Sequence, residues 1–384
     1  MLLKRLIPLY IGAIVGPIGG HGIITLIPVL AHTWNIPFST AALSITIYMI
    51  PYILIQVVSG SIAQVWNVRK ALTMGFATYA VGAVLSGLAW NFEAFVVFRV
   101  IQGMGAAFLT PLIMALIGDL VPTQHLGKAM GGLGLAYTAG MTMGPFISGV
   151  VEVYFGWQAF LFLLAFLAVI TAFLFWIWSA DMEIPRDSGL SISYIFPLIR
   201  QAFFYPGVRS LSFAAFALFI AFIGVMTFTA DYMKTVQGLS SDRVGFLLSM
   251  TGISGLVVSP LAGYLGDRFG RRTIFLSGMA IVLASFVMMV WMHFEYATYA
   301  LLFLLYGTGT ATAWTSLNTM AVELSPAQRN SVTSLYNSVK FTGYALSPLI
   351  LSIFYINGSL RAVLAACIVA TVISCLLQIR SRVK

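Results

Sequence analysis

Apolar runs of roughly 20 residues recur along the whole chain, separated by short polar breaks, and each is long enough to cross a hydrocarbon core of ~30 Å. In lipid only helices and closed barrels satisfy their backbone groups internally. The runs are continuous rather than alternating, which selects helices. The pattern predicts an all-α integral membrane protein with about twelve spans, over residues 6–31, 40–64, 71–90, 94–118, 128–152, 158–180, 207–233, 243–265, 273–294, 297–321, 329–354 and 359–379. The first run is long, follows Lys4 and Arg5, and lacks the short apolar core of a cleaved leader, so it reads as a retained helix. The least apolar stretch begins at Asp181, after about six spans, and ends in Leu190-Ser-Ile-Ser-Tyr-Ile-Phe-Pro-Leu-Ile-Arg200. It reads as a linker followed by a segment lying on the inner membrane face. The expected organisation is therefore an N-terminal six-helix bundle over residues 1–180, a cytoplasmic linker over 181–206 and a C-terminal six-helix bundle over 207–384.

Composition agrees with this reading. Of the 384 residues 60% are hydrophobic and only 8% charged, against about 25% charged in a soluble domain. The net charge of +9 suggests a polyanion partner only until the charges are placed on the spans. With the N-terminus inside, most basic residues fall on the cytoplasmic side, among them Arg69, Lys70, Lys128, Arg200, Arg268, Arg271, Arg272, Arg329 and Arg380. Lys234, Arg243 and Arg361 fall outside, and Arg99 and Lys340 within spans. That asymmetry is the positive-inside rule. It places both termini in the cytoplasm, and no nucleic-acid partner is expected. The two cysteines, Cys367 and Cys375, share the last span and read as small packing residues, with no metal framework.

The two halves resemble each other. Asp119-Leu-Val-Pro-Thr-Gln-His125 is similar to Glu323-Leu-Ser-Pro-Ala-Gln-Arg329, and Gly103 and Gly105 match Gly307 and Gly309, at one offset of 204 residues. Gly144-Pro145 faces Ser347-Pro348 at 203. A duplicated unit of about six helices follows, with a cavity expected where the two copies meet. Each half also carries a polar hinge. Gly263-Tyr-Leu-Gly-Asp-Arg-Phe-Gly-Arg-Arg272 is densely charged, and Gly60-Ser-Ile-Ala-Gln-Val-Trp-Asn-Val-Arg69 is a weaker copy.

At these residues the chain resembles the major facilitator superfamily over nearly its whole length, and within it the twelve-helix drug:proton antiporter group. The 263–272 segment matches the loop signature of that family, and the resemblance implies that Gly263, Asp267, Arg268, Arg271 and Arg272 form a gate latch at the cytoplasmic face, with Arg69 as the survivor in the first copy. There Gln64, Val65, Asn67 and Val68 stand where the second hinge has Asp267, Arg268, Gly270 and Arg271. Arg99-Val-Ile-Gln-Gly-Met-Gly-Ala-Ala107 matches a second signature, in which the arginine is linked to proton coupling. Gly140-Met-Thr-Met-Gly-Pro-Phe-Ile-Ser-Gly149 resembles a third, associated with antiporters. Gly140 and Gly144 allow close helix approach and Pro145 can bend the axis; the same residues also suit a generic small-residue packing face.

Ionisable residues inside the membrane are the candidate chemistry. An arginine in hydrocarbon is costly and should face the bundle interior, so Arg99, with Gln102 on the same helical face, either takes part in coupling or ties helices together through backbone carbonyls. Lys340 shares a polar stripe with Thr333, Asn337 and Tyr344, and either meets an anionic group, pairs with a carboxylate, titrates, or is held by carbonyls and cavity water. His21 has a side chain suited to proton transfer, or is a neutral histidine bonded within the bundle. The first span carries no carboxylate, although drug:proton antiporters of the family often have one. Asp231, near the outer end of its span, is the substitute, at a depth where water also reaches. Tyr137, Met141, Met226, Trp314 and Asn318 complete the expected substrate cavity with Lys340, Asn337, Tyr344 and Gln102.

The expected function is secondary transport by alternating access: proton-coupled export of small amphipathic or anionic organic compounds across the inner (cytoplasmic) membrane, by a monomer whose partners are substrate, protons and lipid. An uptake permease or uncoupled facilitator is the alternative, and a non-transporting receptor or scaffold a third. No Gly-x-Ser-x-Gly elbow, His-Glu-x-x-His motif or P-loop is present, so neither an enzyme nor a cofactor is expected.

Overall fold

The computed structural model describes residues 2–65, 68–121, 123–179, 195–325, 329–357 and 359–380. Among these residues no strand forms. The helices are α1 (Leu2–Thr33), α2 (Phe38–Val65), α3 (Val68–Gly87), α4 (Phe92–Leu120), α5 (Thr123–Phe155), α6 (Trp157–Trp178), α7 (Ile195–Phe204), α8 (Val208–Asp231), α9 (Ser241–Phe269), α10 (Arg271–Trp291), α11 (Tyr296–Glu323), α12 (Arg329–Asn357) and α13 (Leu360–Arg380). A π-helical turn, Tyr232–Val236, extends α8. Each predicted span falls on a helix of its own, with ends shifted by a few residues. Among the described residues nine helices are long and apolar enough to cross a membrane; α3, α5 and α11, which carry more Gly, Ser and Thr or an early charge pair, are not among the nine.

Apart from that between α6 and α7, connections are short and their residues suit them. Asn91 caps α4 by accepting from the Ala94 N–H at 2.8 Å, the side-chain capping that an exposed helix start requires. Gly270 alone separates α9 from α10, with φ +88°, a conformation that a side chain disfavours. Most of the predicted linker, residues 180–194, lies outside the described residues, as do the side chains of Lys4, Arg5, Gln64, Asp119, Lys128 and Arg329. The short α7 that follows lays Ala202 against Val208 and Val332, at the starts of α8 and α12.

In the first part of the chain α1 packs on α5 and α6, α4 on α2 and α3, and α3 on α6. In the second, α8 packs on α12 and α13, α11 on α9 and α10, and α10 on α13. The sequence repeat recurs in space, contact by contact. Gly103 lies against the Tyr48 carbonyl of α2, and Gly307 against Thr251 of α9. Gly105 meets Gly75 and Tyr79 of α3, and Gly309 meets Gly278 and Val282 of α10. Gly140 abuts Ile14 of α1, and Gly343 abuts Phe216 of α8. In each case a methyl group would collide with the facing backbone or side chain, so these positions set how closely the helices approach.

Two seams join the parts, α5 against α9 and α2 against α12. Along the first, Gly149 presses on the Ser241 backbone and Gly245 on the Pro145 carbonyl. Farther along the same helices, a Cβ placed on Gly134 or Gly263 would meet no atom within 4 Å among the described residues. The described contacts of the seam are thus tight at the end where Ser241 lies and thin out toward the 263–272 hinge. At the closed end Lys234 bonds to Ser241 and stands 3.7 Å from Glu152, and Phe38 of α2 packs edge-on against Phe228 of α8.

Candidate functional site

A narrow cleft of about 20 Å³, room for little more than a water molecule, lies where α1, α2, α4, α5 and α12 converge. It is lined by Gly16, Pro17, Gly20 and His21 of α1, Tyr48, Met49 and Tyr52 of α2, Ala106 and Thr110 of α4, Tyr137 of α5, and Phe341 and Tyr344 of α12. Two contacts across the parts close over it. The Tyr344 hydroxyl donates to the Gly20 carbonyl at 3.0 Å, and the Thr46 hydroxyl to the Ala345 carbonyl at 2.5 Å. His21 is 4% exposed, its ring edge-on to Tyr344 at 5.5 Å and tilted on Phe222 at 6.3 Å. Its ring nitrogens have no partner beyond a loose hydrogen bond to the Pro17 carbonyl, one turn back on α1. A buried polar group left this way is costly.

Behind this wall lies Arg99, fully buried on α4. Its Nη1 donates to Gln102 Oε1 at 2.6 Å, one helical turn on, and its guanidinium lies 4.2 Å over the Tyr48 ring. Nε and Nη2 have no partner, and neither does the Tyr48 hydroxyl. The cation is held by one hydrogen bond and one π face, with donors to spare beside the cleft.

Lys340 is placed differently. Its Nζ donates to Asn337 Oδ1 at 2.7 Å and lies 3.5 Å from Asn318 Oδ1, which also accepts from the Tyr336 hydroxyl at 2.9 Å. Four rings surround it, Phe219 of α8 at 5.5 Å, Trp314 of α11 at 5.4 Å, Tyr336 at 5.1 Å and Phe341 at 4.8 Å. Trp314, Asn318, Asn337 and Lys340 thus meet in an aromatic cage, and Phe341 is the wall it shares with the cleft. Tyr52 packs edge-on to Phe341 from the other side at 5.4 Å.

The remaining predicted residues are spread out. Tyr137 and Tyr344 line the cleft, while Met141, partly buried on α5, does not appear in its lining. Met226 is buried between α8 and α9, its Sδ 4.0 Å from Thr251 Oγ1. Asp231, at a depth where water was expected, is only 6% exposed and accepts from the Tyr355 hydroxyl at 2.5 Å, beneath Phe38 and Phe228. It stands nine residues beyond Phe222, ~13 Å along α8, away from the cleft. Gly140 and Gly144 pack on the Ile14 and Ile18 carbonyls of α1, and α5 runs through Pro145 as one helix.

At the hinge, Arg271 Nη1 donates to the Gly263 carbonyl at 2.7 Å, and its Nη2 reaches both Asp267 and Glu323, the latter at 3.1 Å. One cation therefore ties the ends of α9, α10 and α11. Arg268 lies over Phe269 at 5.4 Å. Arg272 donates to the Ile379 carbonyl at the end of α13, and Arg69 to the Trp176 carbonyl at the end of α6 at 2.6 Å.

Sequence reading missed Met49, Ala106, Thr110, Phe219 and Phe341. Ala106 and Thr110 carried a signal, since they continue the helical face of Arg99 and Gln102 at four-residue steps. Phe219 and Phe341 carried none, because nothing in a phenylalanine-rich chain marks the ring that will face a lysine.

The family model described as Major Facilitator Superfamily matches residues 9–240 and 211–382. The multidrug resistance protein MdtG of Proteus mirabilis (strain HI4320) is 27% identical over 304 residues, covering 77% of this chain and 72% of its own length. The riboflavin transporter RibZ of Clostridioides difficile (strain 630) is 19% identical over 399 residues, covering 91% and 87%. Among solved structures, a bacterial homologue of the human lysosomal transporter Spinster, inward-facing and unoccupied, matches with a TM-score of 0.78 at 16% identity, over 99% of this chain and 95% of that one. The last likeness concerns the fold.

Proposed function

The chain belongs to the major facilitator superfamily of transporters, and we propose that it works by alternating access, coupling inward proton flow to export of small amphipathic or anionic organic compounds. In this reading twelve helices cross the inner membrane in two six-helix bundles, residues 1–180 and 207–384, with both termini cytoplasmic, so that the hinge of Asp267 and Arg271 faces the cytoplasm. The cleft between α1, α2, α5 and α12 is the substrate site, and the seam sealed at Lys234 and parted at Gly263 is the inward-facing half of the cycle.

The observation that carries the reading is His21: a buried imidazole held by no more than a loose bond to the Pro17 carbonyl, on the cleft wall, against a tyrosine that bridges the two parts. A group able to gain or lose a proton there changes the contact that closes the site. Arg99, with free donors behind Tyr48, supplies positive charge that an anionic substrate group would meet on displacing that ring.

The test is reconstitution into liposomes with an internal pH dye, adding anionic and cationic compounds under an imposed proton gradient. Substrate-dependent proton movement, lost in His21→Ala or Asp231→Asn, is expected. Transport with no proton movement would establish the second reading, an uncoupled facilitator or uptake permease, which the absence of any carboxylate from α1 favours. If Arg99→Ala and Lys340→Ala leave transport of every anionic compound intact, the anionic preference falls.

A further inference from the structure

The cage around Lys340 is built for a cation. Four ring faces, each negative at its centre, and two amide oxygens converge on one ammonium, an arrangement that attracts positive charge and repels a carboxylate. Among the described residues no carboxylate pairs with Lys340, so its charge is balanced by the cage alone. Ionisable groups in contact with the cage are the phenol of Tyr336 on α12, which donates to Asn318, and that of Tyr52 on α2, which packs on Phe341. From α8 and α11 the described contacts to Lys340 come from the Phe219 and Trp314 rings and the Asn318 amide. The cage shares Phe341 with the cleft, so a solute in the cleft is one ring away.

We propose that Phe219, Trp314, Tyr336, Phe341, Asn318 and Asn337 form a binding site for the ammonium group of an organic cation, and that Lys340 is its tethered occupant. When such a cation enters, the Lys340 ammonium gives its proton to water, the neutral amine swings out, and the incoming ammonium takes the same oxygens and rings. On return, Lys340 takes up a proton and refills the cage. One seat holds one positive charge, so a cation leaves for each proton that enters and the exchange moves no net charge. This exchange rests on the proton-coupled reading above, but of the amphipathic and anionic substrates named there it takes amphipathic cations and gives Lys340 no part in an anionic preference; the binding site itself stands apart from it.

Truncating Lys340 to alanine removes the equivalent of n-propylammonium, which is therefore the probe. The purified full chain in nanodiscs is titrated calorimetrically in buffers of different ionisation enthalpy. Wild type is expected to bind n-propylammonium with release of a single proton, more tightly as pH rises. Lys340→Ala is expected to bind it about tenfold tighter with no proton release, and to bind neither 1-propanol nor propionate. A Lys340→Ala protein that ignores n-propylammonium overturns the proposal, and so does a wild type that binds propionate instead and loses it in the variant. Should Lys340→Ala not fold, Trp314→Leu serves: binding at high pH is expected to weaken about tenfold, and unchanged binding overturns the proposal. In liposomes, cation export that responds to membrane potential would refute the one-for-one exchange while leaving the site standing. Wild-type binding with no proton release would overturn Lys340 as the displaced occupant, whereas proton release on binding without proton-driven export would refute the coupled reading alone.

Discussion

The two hinges, between α2 and α3 and between α9 and α10, keep one contact in common and differ in another. Arg69 and Arg272 occupy matching places, 203 residues apart. Each donates to a carbonyl at the end of the last helix of its half, Trp176 on α6 and Ile379 on α13, where an arginine also meets the negative end of the helix dipole, worth ~0.3–1 kcal/mol. Arg69 additionally lies 4.2 Å over the Trp176 ring. Among the described residues only the second hinge has the tie through Arg271 to Asp267 and Glu323. In the first, Val68 stands at the place of Arg271 and is buried. Among the described residues the duplicated hinge thus carries two kinds of contact that separate cleanly: an arginine brace on a helix end in both halves, and an ion-pair tie through Arg271 in the second.

Writing the latch into the first hinge gives the largest expected effect. Val68→Arg places a charge without a partner in a buried position and should cost about 2 kcal/mol, part of the penalty being avoided if the long side chain reaches water. Adding Gln64→Asp, at the i, i+4 spacing of Asp267 and Arg271, should recover much of that loss in thermal stability; no recovery would mean the first hinge lacks the geometry for a latch. Next in size is Arg271→Ala. Two carboxylates lose their shared cation at a partly exposed network that is formed in this hinge-parted structure, and the equilibrium should move about fivefold away from that form. Spin labels at Leu135 of α5 and Tyr264 of α9, both exposed, would report shorter distances, and Asp267→Asn should move them the same way by less. Unchanged distance distributions in both variants would remove the latch from the gate. The smallest effect tests the brace: Arg69→Ala and Arg272→Ala should each lower the thermal midpoint by about 1–3 °C. A midpoint unmoved in one and lowered in the other would break the equivalence.

Much of this was legible in the chain. Run length and continuity placed the helices, and the 203–204 offset anticipated the paired contacts of Gly103 with Gly307 and Gly105 with Gly309, because close packing leaves glycine as its trace. The face shared by Arg99 and Gln102 followed from their spacing. The cage did not, since helical period says which residues share a face and not which face of another helix they will meet. Phe219, Trp314 and Lys340 come from three helices far apart in sequence, and a chain with 29 phenylalanines offers too many candidate rings. The burial of Asp231 beneath Phe38 likewise depends on α2 meeting α8, which local pattern does not encode. The division of labour between Arg271 and Arg272, adjacent residues with one charge, appears only when their partners do.

The glycine seam between α5 and α9 bears on how easily the molecule changes shape. Where Gly149 and Gly245 meet backbone, the helices touch through glycine, and beside them Phe146 packs on Phe246 and Thr142 on Gly252, so parting them undoes smooth glycine contact together with some side-chain packing. On the alternating-access reading proposed above, the glycine stretch of that joint would serve as a bearing, and a passenger that favours one shape by a few kcal/mol would shift the balance between the two.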